Sequence, residues 1–340
     1  MDVKQSSCGA AVAAELPWKT RLVVHLGSFA LDASRLSHRI LRFVRILEPK
    51  SPPSSKPING VSSSDITVDP SSNLWFRLYL PSSSSSSSPS SSTTTLLPLL
   101  IYFHGGGFLS SAANSKTYDL FCRNLAAHLQ VTVASVNYRL APNHRYPSQY
   151  DDGFATLKFI DAHNYAVLPS NIDLNRCFLA GDSSGGNIAH HVAVRYGRHE
   201  FEKLNIIGLV EIQPFFGGEE RSESELRLSR APFLNVKRTD WMWRLFLPIG
   251  SDRNHEAVSG GDVSAAVKFP ATLVVIGGGD PLQDWQRRYV EGLKKSGKEV
   301  KLIEYPNAIH GFYIFPELAQ LWYLIAEVGD FIQSQSARNA

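Results

Sequence analysis

Cysteine is scarce: Cys8, Cys122 and Cys177 are the only three in 340 residues, and they lie far apart. That excludes a disulfide framework and a paired-cysteine metal site, and it fits a reducing compartment. The apolar runs around Cys122 and Cys177 predict buried structural thiols. No stretch approaches about twenty consecutive apolar residues, so no helical membrane span is expected. A large excess of one charge is missing as well. The formal net charge is +3, too small for the basic stripe that a nucleic-acid partner requires. The chain opens Met1-Asp2-Val3-Lys4-Gln5 with a weak Ala/Val patch at 10–14, which is not the layout of a secretory leader. The expectation is a cytoplasmic globular protein that acts on a small molecule, without metal or cofactor.

What the chain does have is alternation. Short apolar, β-branched runs occur at 74–80, 97–103, 131–136, 177–180, 206–212, 272–276 and 300–305. Between most of them lie stretches with helical spacing, at 118–129, 150–162, 188–196, 285–295 and 318–332. Apolar strands separated by amphipathic helices predict an α/β fold with a mostly parallel sheet covered on both faces. A Ser/Thr tract at 82–95 cannot bury enough apolar surface to order itself, and it reads as a long surface loop decorating a hairpin.

Two regions break the alternation. Before any strand, Leu22, Val23, Leu26, Phe29 and Ala30, then Leu36, Ile40, Phe43 and Val44, suggest amphipathic helices. Later, 217–270 holds Trp241-Met242-Trp243-Arg244-Leu245-Phe246 and separates two strand runs. An insertion after a strand's C-terminal end falls where open sheets bind ligands. The chain therefore divides into an N-terminal cap segment, 1–64, and an α/β domain, 65–340, with 217–270 as a second part of the cap.

Chemistry is concentrated in three places. Gly181-Asp182-Ser183-Ser184-Gly185 follows a strand run and precedes a helix, the context in which a serine hydroxyl is thrust out of a sharp turn as a nucleophile. His104-Gly105-Gly106-Gly107 follows another strand. Small residues there let the N–H groups of Gly105, Gly106 or Gly107 approach an oxyanion, joined by the N–H of Ser184. His104 itself reads as a structural residue that fixes this loop. Chain order in this arrangement is nucleophile, acid, histidine. After Ser183 only His310 lies beyond the last strand run, and Asp280 ends the run before it in Gly277-Gly278-Gly279-Asp280-Pro281. Asp280 is placed to hold the His310 ring. Asp284, the competing carboxylate, reads as a helix N-cap.

These residues, with Asn137-Tyr138-Arg139-Leu140-Ala141-Pro142 and His310-Gly311-Phe312, resemble the hormone-sensitive-lipase-type carboxylesterases of plants, from about residue 65 onward. Phe215-Phe216-Gly217-Gly218-Glu219-Glu220-Arg221 and Tyr313-Ile314-Phe315-Pro316 sit nearest one group of plant probable carboxylesterases. The resemblance implies an α/β-hydrolase fold, an N-terminal segment over the pocket, and cofactor-free hydrolysis of small to medium carboxylic esters. It also extends to the gibberellin receptors, which keep the fold, match Ser184, lack the catalytic histidine and differ at the third glycine. Gly107 and His310 side with the enzymes. Asn143 departs from the glutamate usual there. A hormone-like receptor, or a dehydratase or acyl transferase using the same pocket, are the alternatives to an esterase.

Overall fold

A computed structural model describes residues 16–82, 96–163, 166–261, 263–264 and 267–339. The described residues contain eight strands: β1 (Val61–Asp69), β2 (Leu74–Pro81), β3 (Leu97–Phe103), β4 (Thr132–Asn137), β5 (Ile172–Asp182), β6 (Ile206–Ile212), β7 (Ala271–Gly279) and β8 (Val300–Ile309). They form one sheet in the order β1-β2-β4-β3-β5-β6-β7-β8. Pairing is antiparallel between β1 and β2 and between β2 and β4, and parallel everywhere else. The central strands are apolar along their whole length because both faces are covered: every residue of β6 is buried.

On one face, α3 (Lys116–Leu129) and α10 (Ala319–Arg338) set Phe121, Leu125, Leu324, Val328 and Phe331 against Tyr102, Phe178 and Val210. On the other, α4 (Ser148–His163) and α5 (Ser184–Tyr196) place Leu157, Ile160, Ile188 and Val192 on Ile101, Phe103 and Leu179. The helix α9 (Gln283–Lys295) covers Val274 and Ile276 with Tyr289, Val290 and Leu293. Each such side chain contributes about 1.5–3 kcal/mol by leaving water. Cys122 and Cys177 are buried free thiols within these layers. No helix among the described residues is long and apolar enough to cross a membrane.

Strand order decides where a site forms. From β3 the chain turns outward to β4, then crosses back over β3 to β5, so the winding reverses between β3 and β5. A crevice opens outside the C-terminal ends of those two strands, where open α/β sheets bind ligands. The residues after β3 begin at His104, and the residue after β5 is Ser183.

Five α-helices remain among the described residues, of which those carrying Leu31 and Met242 line that crevice. They are α1 (Trp18–Ser34), α2 (His38–Leu47), α6 (Glu223–Arg227), α7 (Val236–Phe246) and α8 (Glu256–Ser259). The side chain of Ser37 caps α2, and Ser222 with Glu225 forms a capping box on α6. Arg238 of α7 binds Asp32 of α1 through two hydrogen bonds, 2.7 and 2.9 Å, and Phe233 N–H donates to Ser28 Oγ at 2.8 Å. At the start of α1, Thr20 donates to Glu317 at 2.5 Å.

Three expectations change. The 64/65 division falls inside β1, whose consecutive Ser62, Ser63 and Ser64 break any apolar alternation but pair along β2. The hairpin across 82–95 does not form, because β4 lies between β2 and β3. The tract itself falls, from residue 83, outside the described residues. The N-terminal helices form as the spacing predicts, and α1 turns Val24 inward while leaving Leu22, Leu26 and Phe29 exposed. Asp284 is the second residue of α9 behind Leu282 at the N-cap, and it accepts from Ser224 N–H at 2.7 Å.

Candidate active site

The turn from β5 into α5 forces Ser183 into a left-handed conformation, φ 51° and ψ −120°. Such a backbone costs on the order of 1–3 kcal/mol unless its surroundings hold it. Here Ser183 N–H donates to Ile212 O at 2.9 Å, and Ser183 O accepts from Phe215 N–H at 2.8 Å. The glycine two residues later is required by space. A Cβ on Gly185 would stand 1.9 Å from Phe103 O, because α5 starts hard against the end of β3. The pattern Gly-x-Ser-x-Gly is thus a packing demand of the turn.

His310 follows β8 and reaches Ser183 Oγ with Nε2 at 3.0 Å. Its Nδ1 meets Asp280 Oδ2 at 2.8 Å. A carboxylate accepts only, so Nδ1 carries the proton and Nε2 presents its lone pair to the serine hydroxyl. Asp280 also accepts from Leu282 N–H at 2.9 Å and from Gln286 Nε2 at 3.1 Å. Ser183, His310 and Asp280 are 8%, 5% and 0% exposed, so little water competes for these bonds.

Across the crevice, the glycine loop divides by role. Gly105 N–H is committed to Asp182 Oδ1 and the Tyr118 hydroxyl, both at 2.8 Å. That removes it from the expected oxyanion donors. The N–H groups of Gly106 and Gly107 have no acceptor among the described residues, and the N–H of Ser184, first residue of α5, has no intrahelical one. Gly107 has φ 63°, and a Cβ there would meet Met242 Sδ at 2.4 Å. His104 is buried with Nδ1 2.8 Å from Gly105 O, its ring stacked on Tyr138 at 4.3 Å. Burial pushes its pKa down to about 4, so it stays neutral and structural.

Ser183 and His310 open into a cavity of about 260 Å³ lined by Val23, Gly27 and Leu31 of α1, by Phe233, Leu234 and Met242, and by Tyr118, Tyr313 and Ile314. The N-terminal helix and the 217–270 segment together roof it.

Residues 100–314 match a family described as alpha/beta hydrolase fold. The chain belongs to that family. It is 40% identical over 337 residues to the gibberellin receptor GID1C of Arabidopsis thaliana, covering 93% of this chain and 96% of that protein. It is 39% identical over 268 residues to carboxylesterase 20 of the same plant, covering 76% of this chain and 81% of the relative. A solved esterase from the archaeon Pyrobaculum calidifontis superposes with a TM-score of 0.71 at 25% identity, over 94% of this chain and 99% of that one.

In this α/β hydrolase, two supporting groups were assigned no role from the sequence. Gln213, just past β6, accepts from Gly311 N–H at 2.8 Å and donates to Ile309 O at 3.2 Å, gripping both neighbours of His310. Asp182 is fully buried, and its carboxylate accepts from Tyr102 at 2.5 Å, Tyr118 at 2.8 Å and Tyr313 at 2.9 Å besides Gly105 N–H. Burial raises the Asp182 pKa while these donors oppose the rise. The cluster ties the glycine loop to the turn that carries Ser183. A polar residue directly after a strand's C-terminal end was the available clue for Gln213. The tyrosines converge from three separate elements and gave none.

Proposed function

We propose that this α/β hydrolase is a serine carboxylesterase acting on small to medium esters through an acyl-enzyme. The observation that carries the reading is the unbroken relay from Asp280 through His310 to Ser183 Oγ beside two unengaged glycine N–H groups. Ser183 Oγ attacks the ester carbonyl and its proton passes to His310 Nε2. The N–H groups of Gly106, Gly107 and Ser184 take the negative charge that develops on the carbonyl oxygen. Asp280 stabilises the imidazolium, which protonates the departing alcohol as the tetrahedral intermediate collapses. Water, deprotonated by the same nitrogen, then releases the acid. The chemistry needs no cofactor. The cap formed by α1, α2 and 217–270 excludes water and limits the ester to what fits beneath it.

The test is covalent. A p-nitrophenyl alkylphosphonate should label the protein once, on the peptide containing Ser183, and turnover of p-nitrophenyl acetate should stop in proportion to labelling. Labelling at another residue, or inhibition without labelling at Ser183, would overturn the reading. A second prediction concerns positioning. Gln213→Ala should lower kcat about tenfold with KM nearly unchanged, since it frees the His310 turn without touching the substrate's place. Steady-state kinetics at saturating ester measures it.

A receptor is the second reading, favoured by likeness to a gibberellin receptor over 93% of the chain. It predicts tight, saturable binding of a small ligand by calorimetry with no turnover of any ester.

A further inference from the structure

Beside the reactive cavity lies another of about 360 Å³, and Glu48 and Ser111 line both. The two differ in chemistry. The reactive cavity is largely apolar, whereas this side cavity is walled by Arg45, Lys50, Arg139, Asn143 and His144. Two of its cations are already paired. Lys50 Nζ lies 2.7 Å from Glu48 Oε2, and Arg139 grips Asp152 with bonds of 2.7–3.0 Å. Arg45 is different. It extends from α2, and its Nε and Nη2 donate to the carbonyls of Leu109 and Ala141. Among the described residues no carboxylate pairs with it, and Nη1 has no acceptor. Burial lowers its pKa to about 10, which leaves it charged at neutral pH.

A half-buried guanidinium served only by carbonyls is short of counter-charge. The wall between the two cavities carries a second unusual feature. Ser111, a non-glycine residue, is held at φ 72°, and such strain concentrates where ligands are gripped. Asn143, exposed in the same wall, is neutral.

We infer that the side cavity binds an oxyanion group, carboxylate or phosphate, carried by the ester substrate, with Arg45 as its counter-charge. This rests on the esterase reading of Ser183. The substrate class is then an amphipathic ester. Its apolar body lies under α1, and its anionic end passes the wall at Glu48 and Ser111. Guanidinium recognises either oxyanion through charge-assisted N–H donors.

The experiment compares mono-p-nitrophenyl esters of glutaric, adipic and suberic acids with neutral p-nitrophenyl esters of equal chain length. In the wild type, at least one acidic ester should show kcat/KM about tenfold above its neutral counterpart, the advantage lying in KM and shrinking with added salt. Asn143→Glu places a carboxylate in the cavity wall, and it should cut the ratio of acidic to neutral kcat/KM about tenfold. Arg45→Met should cut it as well, and Arg45→Lys should keep part of it. Arg45 also anchors α2, so if Arg45→Met unfolds, the exposed Asn143→Glu decides. A neutral preference at every chain length, or a ratio unmoved by Asn143→Glu, overturns the proposal.

If no ester is turned over, the esterase reading fails by itself, and calorimetry on Ser183→Ala with adipate and with inorganic phosphate tests the cavity alone. Binding that Asn143→Glu removes supports the oxyanion site, with phosphate alone pointing to a free anion as its source. Absence of binding to either anion overturns it.

Discussion

Ser183→Ala and His310→Ala should each lower kcat by about 10⁴–10⁶-fold on any ester the wild type hydrolyses, with KM changed far less. The double variant should be no slower than either single one. In the proposed mechanism nucleophile and base act as one unit: without the His310 lone pair 3.0 Å away, the hydroxyl keeps its proton, and without the hydroxyl the base has no role. What persists is the weak catalysis left by oxyanion donors and binding. Both positions are nearly buried but small or edge-placed, so the melting temperature should shift by a few degrees at most. Parallel kinetics and thermal melts check this. Turnover retained in His310→Ala would remove the relay as the source of activity. A folded wild type that turns over no ester would leave the receptor reading.

The second large effect is on stability, and it comes from a residue outside the site. Glu211 sits in β6 with its side chain fully buried, and neither carboxyl oxygen finds a partner at hydrogen-bonding geometry among the described residues. The Tyr289 hydroxyl faces it but is engaged by His190 Nδ1 at 2.7 Å. His190 Nε2 must donate to the Gly260 carbonyl, also at 2.7 Å, so Nδ1 is an acceptor and takes the tyrosine proton. Burial pushes the Glu211 pKa well above the usual carboxylate range, and the folded protein holds it as a neutral acid.

The sign follows from linkage. Above about pH 4.3 the unfolded chain releases this proton while the folded chain keeps it. The folded state then binds more protons, and its stability falls as pH rises. Glu211→Gln, which cannot ionise, should flatten that decline, gaining more at pH 8 than at pH 4.5. Glu211→Leu removes the ionisable group altogether, and it should flatten the decline in the same way. Urea unfolding at the two pH values measures both. A variant no more stable than the wild type at pH 8 would mean that Glu211 has a partner in solution.

Much of the site was legible because its chemistry is bound to local geometry. A strand-to-helix turn that exposes a hydroxyl needs small residues on either side, and Gly185 beside Phe103 O shows the space that remains. The acid and the histidine were found by chain order, since each ends one of the last two strands. The loop after β3 was legible only in outline. Three glycines read as three equivalent donors, and the division between Gly105 and its successors depends on Asp182 and Tyr118, which arrive from other elements. Strand β1 escaped because its serines carry no apolar alternation, and its stability lies in pairing with β2.

By itself the sequence determined the α/β class and the core strands, and it singled out Ser183, Asp280 and His310 for the proposed relay. These follow from periodicity and from turns whose requirements are local. Only the tertiary structure decided the order β2-β4-β3, the cage around Asp182, the grip of Gln213 on the His310 turn, and the side cavity at Arg45. Each of these joins groups dozens to hundreds of residues apart. Such contacts are set by how packed layers meet, and no spacing along the chain encodes them.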